Sequence, residues 1–139
     1  MKRLLLDLNS VLDVLLDRPA DADAAAALWA AIDRGKGQGM VPAHGMTTIF
    51  YVLEKAQGAI FARGGVEDLV RVFSVAPVDD QVVKRALTFA WPDFEDAVCA
   101  AAAVASACDV LVTRDPAGYP DPPLPVIDPS AALSWLSEG

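Results

Sequence analysis

Three aspartates stand next to short apolar or alanine-rich segments of the chain. Asp7 closes the apolar run at residues 4–6, Asp115 follows the run at 110–112, and Asp96 opens an alanine-rich segment. Short apolar runs bounded by polar turns predict buried strands, and the carboxyl ends of parallel strands meet at one edge of a sheet. Carboxylates gathered there repel one another unless they are protonated or share a hard cation. The pattern therefore predicts a magnesium or manganese site, which can position water and a phosphodiester.

Strand and helix signals alternate along the whole chain. Further strands are predicted at residues 40–41, 75–77 and 125–127, ending at or near prolines. Helices are predicted at residues 11–16, at 47–61 with an end at Gly64 and Gly65, at 66–73 and at 129–136. A second helix is capped by residues 21–23 and extends to about 33, another is capped by residues 79–80 and extends to about 89, and the alanine-rich segment after Asp93 forms a further helix. In the first helix, Asp13 and Asp17 are expected to point outward. This alternation predicts an α/β fold with three α/β/α layers and a central parallel sheet of four to five strands.

Composition limits the class of protein. The 139 residues are 54 % hydrophobic, which fits a single domain over residues 1–139 with a substantial core. No apolar run approaches the roughly 20 residues that a bilayer span requires, so we expect a soluble, cytoplasmic protein without a membrane partner. The net charge of −8 is the opposite of a simple phosphate-binding surface, although acids can still gather around a divalent cation.

The residues most often used in other kinds of site are few. Cys99 and Cys108 lie nine residues apart around one helix, a spacing typical of buried thiols and not of a zinc site or a disulfide. His44 is the only histidine and adjoins a helix start without a neighbouring acid, so we expect it to be structural. The acids therefore carry the predicted chemistry.

Four segments in this order resemble the PIN domain, particularly the VapC-like toxins of bacterial toxin-antitoxin pairs. They read LLLDLNSVLDVLLDRP, DFEDAVCAAAA, VLVTRD and LPVIDPSAAL, and together they extend from Leu4 to about Leu136. The resemblance implies an endoribonuclease that hydrolyses RNA phosphodiesters with water activated by Mg²⁺ or Mn²⁺. The residues it implies as catalytic metal ligands are Asp7, Asp96 and Asp115, with Asn9, Thr48, Thr113 and Arg114 in substrate-binding or supporting positions.

One position departs from the family pattern. Many PIN domains carry a glutamate three residues before an aromatic that corresponds to Tyr51, and that position is Thr48 here. Glu54, six residues further, lies on another face of the helix at about 100° per residue. Asp93 stands one helical turn before Asp96 and either supplies the missing charge or caps the helix after Pro92. Thr48, Asp93 and Glu54 thus remain alternatives for the fourth acidic position.

Two other functions are compatible with parts of the pattern. A haloacid-dehalogenase-like phosphatase would use Asp7 as its nucleophile, but it needs a second acid where this chain has Asn9. A non-catalytic PIN-like binding module would keep the fold and use the acids only as helix caps. A divalent cation should stabilise a true metal site and leave a capping cluster unaffected.

The first two predicted helices carry more apolar side chains than one buried face needs. The resemblance implies a homodimer that also buries a segment of a cognate antitoxin near such helices. Burial in the protein's own core is the alternative explanation for these side chains. The residues concerned are Leu12, Val14, Leu15, Leu16, Leu28 and Trp29.

Overall fold

The computed structural model describes residues 1–19 and 22–138. Within these residues, five parallel strands form one sheet in the order β3-β2-β1-β4-β5. The strands are β1 (Arg3–Leu6), β2 (Gln38–Pro42), β3 (Ser74–Ala76), β4 (Val110–Val112) and β5 (Val126–Ile127). The predicted central parallel sheet is confirmed, with β1 in the middle.

Helices connect successive strands and cover both faces of the sheet. They are α1 (Leu8–Leu15), α2 (Ala22–Asp33), α3 (Met46–Gln57), α4 (Ala59–Val72), α5 (Asp80–Phe89), α6 (Phe94–Ala105) and α7 (Pro129–Ser137). Successive side chains of a strand point to opposite faces. Leu4 and Leu6 accordingly pack with α1, α2, α3, α4 and α7, while Leu5 packs with α5 and α6. The predicted three-layer α/β/α architecture is confirmed.

The boundary between α3 and α4 differs from the prediction. A single helix was expected to extend to residue 61 and to end at Gly64 and Gly65, but the break lies at Gly58 and both other glycines lie inside α4. Gly58 has φ +91°, a conformation that side chains other than glycine rarely adopt. Gly65 instead permits close packing, because a Cβ there would come within 2.9 Å of Leu53 Cδ1 in α3.

The start of α2 is described only in part. The predicted cap residue Asp21 lies outside the described residues, whereas Asp23 lies in the first turn of α2 and the helix ends at Asp33 as predicted. Across residues 1–19 and 22–138, no helix is long and apolar enough to cross a membrane.

Candidate functional site

Asp7 lies at the carboxyl end of β1 and is the N-cap of α1. One carboxylate oxygen, Oδ1, accepts a hydrogen bond from the Ser10 amide at 3.0 Å, and Oδ2 accepts one from Thr113 Oγ1 at 2.8 Å. The parallel register pairs Leu6 with Val112, which brings the next residue of each strand, Asp7 and Thr113, together. Asp7 is only 5 % exposed, so its orientation is fixed by hydrogen bonds inside the protein.

Burial makes the charge of Asp7 unfavourable. Desolvation raises the pKa of its carboxyl, and the negative charge of Asp13 raises it further. Hydrogen bonds from Ser10 and Thr113 lower the pKa, but they do not reverse the effect of burial. Among the described residues, no basic side chain forms an ion pair with Asp7. The site is therefore short of positive charge.

Asp96 lies in the first turn of α6, whose alanines pack against the sheet residues Leu5 and Leu111. Burial, followed by the charge of Asp93, raises the pKa of Asp96 to about 6, and Asp7 and Glu95 also raise it. The carboxyls of Asp7 and Asp96 thus lie close enough to act on each other. The structure brings these two predicted ligands together at the carboxyl edge of the sheet.

The Cys99 thiol lies among the same acids and shows how closely they gather. Burial raises the pKa of Cys99 well above its ordinary value, and the charges of Asp7, Asp96, Glu95 and Asp93 raise it further. Both cysteines are free thiols; Cys99 is buried as predicted, whereas Cys108 is only half-buried.

His44 lies beside Cys99 at the edge of this group. Its Nε2 is 3.8 Å from Cys99 Sγ. Burial lowers the pKa of His44, which favours a neutral ring at pH 7. A neutral imidazole does not supply the positive charge that the neighbouring carboxylates lack.

Asp93 is the N-cap of α6, and its Oδ1 accepts a hydrogen bond from the Asp96 amide at 3.1 Å. The carboxyl is exposed. The predicted capping role is therefore present in the structure. Because Asp93 also raises the pKa of Asp96 more than Asp7 or Glu95 does, its charge acts on the site as well.

Asp115 lies on the loop after β4, where its side chain is exposed. Its amide donates a hydrogen bond to Thr113 Oγ1 at 3.3 Å, and its carbonyl accepts one from the Gly118 amide at 3.1 Å. The loop is thus tied through Thr113 to Asp7. Asp115 shares the edge with the Asp7 and Asp96 pair, from a more solvated position.

The remaining predicted site residues lie on α1 and α3. Asn9 is exposed in the first turn of α1, and Thr48 is half-buried in the first turn of α3, which begins near the carboxyl end of β2. Glu54 is exposed, eight residues after the start of α3, hence about 12 Å further along the helix axis at 1.5 Å per residue. Thr48 is therefore nearer than Glu54 to the edge that carries the acids.

The described residues contain no group of three histidine, cysteine, aspartate or glutamate side chains arranged to hold a metal ion. The site nevertheless fits magnesium, which is usually bound through one or two carboxylates together with waters and substrate phosphates. Asp7 and Asp96 supply two such carboxylates, and the charge of Asp7 raises the pKa of Asp96. A divalent cation between them would replace the missing positive charge.

Asp13 was predicted to point outward, and that prediction is wrong. Its side chain is 1 % exposed, and Oδ1 forms ion pairs with Arg114 Nη1 at 2.8 Å and Arg18 Nη1 at 3.1 Å. Arg114 lies next to Asp115, so Asp13 fastens the loop after β4 to α1. Helical periodicity alone did not reveal this burial, because one of the two partners is 101 residues away.

The apolar side chains of α1 and α2 contribute mainly to the core. Leu12 and Leu28 are buried, and Trp29 contacts Phe73 edge-on with ring centroids 5.1 Å apart. Leu15, Leu16 and Trp29 are half-buried and pack against the same core. Val14 is also half-buried. The core explanation therefore accounts for Leu12 and Leu28, while the others retain partly exposed surface.

Comparison with known proteins gives one family and several related folds. A family model described as "PIN domain" matches residues 3–117. No curated protein sequence matches the chain. The family match does not depend on the geometry of the site. Its residues 3–117 include Asp7, Asp96 and Asp115.

Solved structures of low sequence identity share the fold. A chain of VapBC2 from Rickettsia felis, bound to a promoter DNA fragment, has a TM-score of 0.73 at 11 % identity, covering 91 % of this chain and 98 % of that one. A chain of DNA-bound VapBC from Salmonella typhimurium has a TM-score of 0.72 at 15 % identity, and the match covers 93 % of this chain and 99 % of that one. Mycobacterium tuberculosis VapC20 is described as a sarcin-ricin loop cleaving toxin. It has a TM-score of 0.64 at 17 % identity, and the match covers 78 % of this chain and 86 % of that one.

Proposed function

Because the chain belongs to the PIN domain family and has a VapC-like fold, we propose that it is a metal-dependent endoribonuclease and the toxin of a toxin-antitoxin pair. The proposed reaction is hydrolysis of RNA phosphodiester bonds by water, with Mg²⁺ or Mn²⁺ as cofactor. The description of VapC20 as a toxin that cleaves the sarcin-ricin loop supports RNA as the class of substrate.

The observation that carries this proposal is the pair of carboxyls of Asp7 and Asp96. Both have raised pKa values, both lie at the carboxyl edge of the parallel sheet, and neither has a basic partner among the described residues. A structural acid is normally neutralised or left in solvent. Asp7 is buried and Asp96 half-buried, and neither is neutralised by a basic side chain of the described residues, so the pair is better suited to binding a cation.

Each acid has a distinct proposed task. Asp7, held by Ser10 and Thr113, presents a fixed carboxylate. Asp96, with a pKa of about 6, is mostly ionised at pH 7 and completes the pair. Asp115 and Asp93 add negative charge at the rim and complete the proposed ligand set. A bound magnesium or manganese ion supplies an activated water and stabilises charge on the phosphodiester oxygens.

Substrate contact is proposed for polar groups around the acids. Asn9 is exposed beside Asp7, and Thr48 and Thr113 line the starts of α3 and of the loop after β4. Arg114 is held by Asp13 with 39 % of its side chain exposed, so its guanidinium can also face solvent. On a protein with net charge −8, a guanidinium beside the acids is well placed to attract an RNA phosphate.

An antitoxin and a second copy of the chain are the proposed protein partners. VapBC complexes among the related folds, including one from nontypeable Haemophilus influenzae, support an antitoxin. Exposed large apolar side chains are available on α3 and α4, where Tyr51 is 57 % and Ile60 91 % exposed. Val14, Leu15, Leu16 and Trp29 offer further partly exposed surface for the homodimer. We place the complex in the cytoplasm.

A non-catalytic PIN-like binding module is the second candidate. The lack of a three-ligand cluster among the described residues and the cap geometry of Asp93 favour it. The haloacid-dehalogenase-like alternative has no comparable support, because the chain matches the PIN family over residues 3–117. A divalent cation would not stabilise a binding module whose acids serve only as caps.

The test is cleavage of single-stranded and loop-containing RNA by the purified protein. We expect cleavage with Mg²⁺ or Mn²⁺, no cleavage after chelation, and loss of cleavage in Asp96→Asn without unfolding. Asp79→Asn is the matched control, because Asp79 is the exposed N-cap of α5 after β3, and Asn caps about as well as Asp. Cleavage that persists after chelation, or in Asp96→Asn, would contradict the proposal.

A further inference from the structure

Tyr119 is a buried side chain that sequence reasoning did not connect with the acids. It follows the short 3-10 helix at Pro116–Gly118, and it is only 5 % exposed. Its ring contacts Trp91 edge-on, with centroids 5.7 Å apart at 85°, and Trp91 in turn contacts Phe89 at 5.1 Å. These aromatic contacts fix where the phenol oxygen lies.

That phenol oxygen is buried and has no well-formed hydrogen bond to any described residue. Buried hydroxyls are nearly always paired, so an unpaired one needs an explanation. The ionisable groups that act on it are Cys99, Asp7 and Asp96. A tyrosine hydroxyl is protonated at neutral pH, so this phenol is a hydrogen-bond donor.

Asp96 is the acceptor that best suits this donor. The Tyr119 hydroxyl and the Asp96 carboxyl interact with each other, although their geometry in this structure falls short of a full hydrogen bond. The chain thus places a fixed, protonated phenol beside a carboxylate of the candidate site. A phenylalanine would fill the same aromatic pocket without this group.

We propose that Tyr119 is a positioning residue whose hydroxyl donates a hydrogen bond to one oxygen of Asp96 and so leaves the other oxygen available to a cation that Asp7 would also bind. The proposal rests on the proposed metal-dependent function. In other metal sites, hydrogen bonds from neighbouring groups orient the side chains that bind the metal, and the bond from Tyr119 would orient Asp96 in the same way. Asp7 already has such partners in Ser10 and Thr113, and Tyr119 gives Asp96 an equivalent one.

The first test is Tyr119→Phe, which keeps the ring and removes only the hydroxyl. Calorimetric titration of the full chain with Mn²⁺, without RNA, should show affinity weakened by roughly 10 to 100-fold. Tyr51→Phe makes the same chemical change at the other tyrosine, which is 57 % exposed, and should bind Mn²⁺ as the wild type does. Equal affinity of Tyr119→Phe and wild type would overturn the positioning role and leave only packing.

A second test does not depend on metal. In the metal-free protein, Tyr119→Phe and Asp96→Asn form a double-mutant cycle read from unfolding equilibrium constants. If the two groups interact, the change in the unfolding equilibrium constant of the double variant should differ by about tenfold from the product of the changes in the two single variants. If the change in the double variant equals that product within about twofold, the two groups do not interact and the proposal is overturned. If the wild type binds no Mn²⁺, the proposed metal-dependent function is overturned. The double-mutant cycle, which needs no metal, would still show whether Tyr119 and Asp96 form a hydrogen bond.

Discussion

Asp7 and Asp13 lie six residues apart on one continuous segment, and both are almost completely buried. Asp13 forms ion pairs with two guanidiniums, those of Arg18 and Arg114. Asp7 receives hydrogen bonds from Ser10 and Thr113, but it has no ion pair within the described residues. A buried charge is unfavourable unless it is paired, so the protein has compensated one aspartate and left the other uncompensated.

The difference indicates what each aspartate does. Asp13 is a structural acid, because its charge holds together α1 and the loop after β4. Asp7 has a carboxyl with a raised pKa and no ion-pair partner among the described residues, and Asp96 lies near it with the same property. Proteins retain such unfavourable groups mainly where function needs them. A cation from solution is the compensation that this pair lacks.

The largest expected effect follows from removing the uncompensated charge. Asp7→Asn should lower RNA cleavage by roughly 100-fold or more, because several kcal/mol of charge stabilisation by the cation are lost. The same variant should unfold at a higher temperature than wild type without metal, since the asparagine oxygen still accepts from the Ser10 amide, its NH2 group can donate to Thr113 Oγ1, and the side chain carries no buried charge. Cleavage assays and metal-free thermal melts check the two parts.

A matched control for Asp7→Asn is Asp128→Asn. Asp128 is also an N-cap after a strand, accepting the Ala131 amide at 2.8 Å, but it is exposed. Its substitution should change neither cleavage nor stability appreciably. If Asp7→Asn is destabilised and loses cleavage only because it unfolds, then Asp7 is a structural acid like Asp13, and the proposed difference between the two is wrong.

Removing the compensated charge should have the opposite effect on stability. Asp13→Asn should lower the free energy of unfolding by about 2 kcal/mol, because hydrogen bonds to charged groups are lost. The loss should stay below the roughly 3 to 5 kcal/mol of a fully buried pair, since both arginines reach solvent. Urea denaturation measures it. A variant as stable as wild type would show that the ion pairs of Asp13 do not hold the loop.

The pH dependence of metal-free stability should reveal the uncompensated pair. The pKa of Asp96 is raised from 3.8 to about 6, so the folded protein binds its proton more tightly than the unfolded chain does. Stability should therefore be greatest below about pH 4 for this group and fall as pH rises toward 6. Asp96→Asn should flatten this decline in urea midpoints. An unchanged slope would contradict the raised pKa.

The smallest expected effect concerns the fourth acidic position. Asp93→Asn should keep the cap of α6, and stability should barely change. Loss of its charge should weaken Mg²⁺ affinity by roughly tenfold, at the lower end of the range for supporting residues. Glu54→Gln, exposed and further along α3, should be silent. If only Glu54→Gln impairs Mg²⁺ dependence, Glu54 and not Asp93 is the missing ligand.

Much of the fold could be predicted from local patterns in the sequence. Apolar runs alternating with helical periodicity were sufficient for the parallel sheet, since each βαβ connection follows from chain order. The meeting of Asp7 and Asp96 followed from their positions at a strand end and a helix start. The break at Gly58 was missed because glycine spacing does not show which glycine adopts a positive φ.

Contacts between distant segments were beyond such patterns. Asp13 had the periodicity of an exposed position, and only the fold brings Arg114 to it from the loop after the neighbouring strand β4. Tyr119 stood in a proline-rich loop whose path the sequence did not specify, so its approach to Asp96 could not be predicted. In both cases the important partner lies in a loop that is positioned by tertiary packing.

The effect of Mg²⁺ and Mn²⁺ on the unfolding free energy of wild type, Asp7→Asn and Asp13→Asn decides whether Asp7 binds a cation. A ligand at about 100 times its dissociation constant stabilises the folded state by about 2.7 kcal/mol. Wild type and Asp13→Asn should both gain stability as the cation is added, and Asp7→Asn should not. A wild type that gains nothing, or an Asp7→Asn protein that gains as much, would contradict the account.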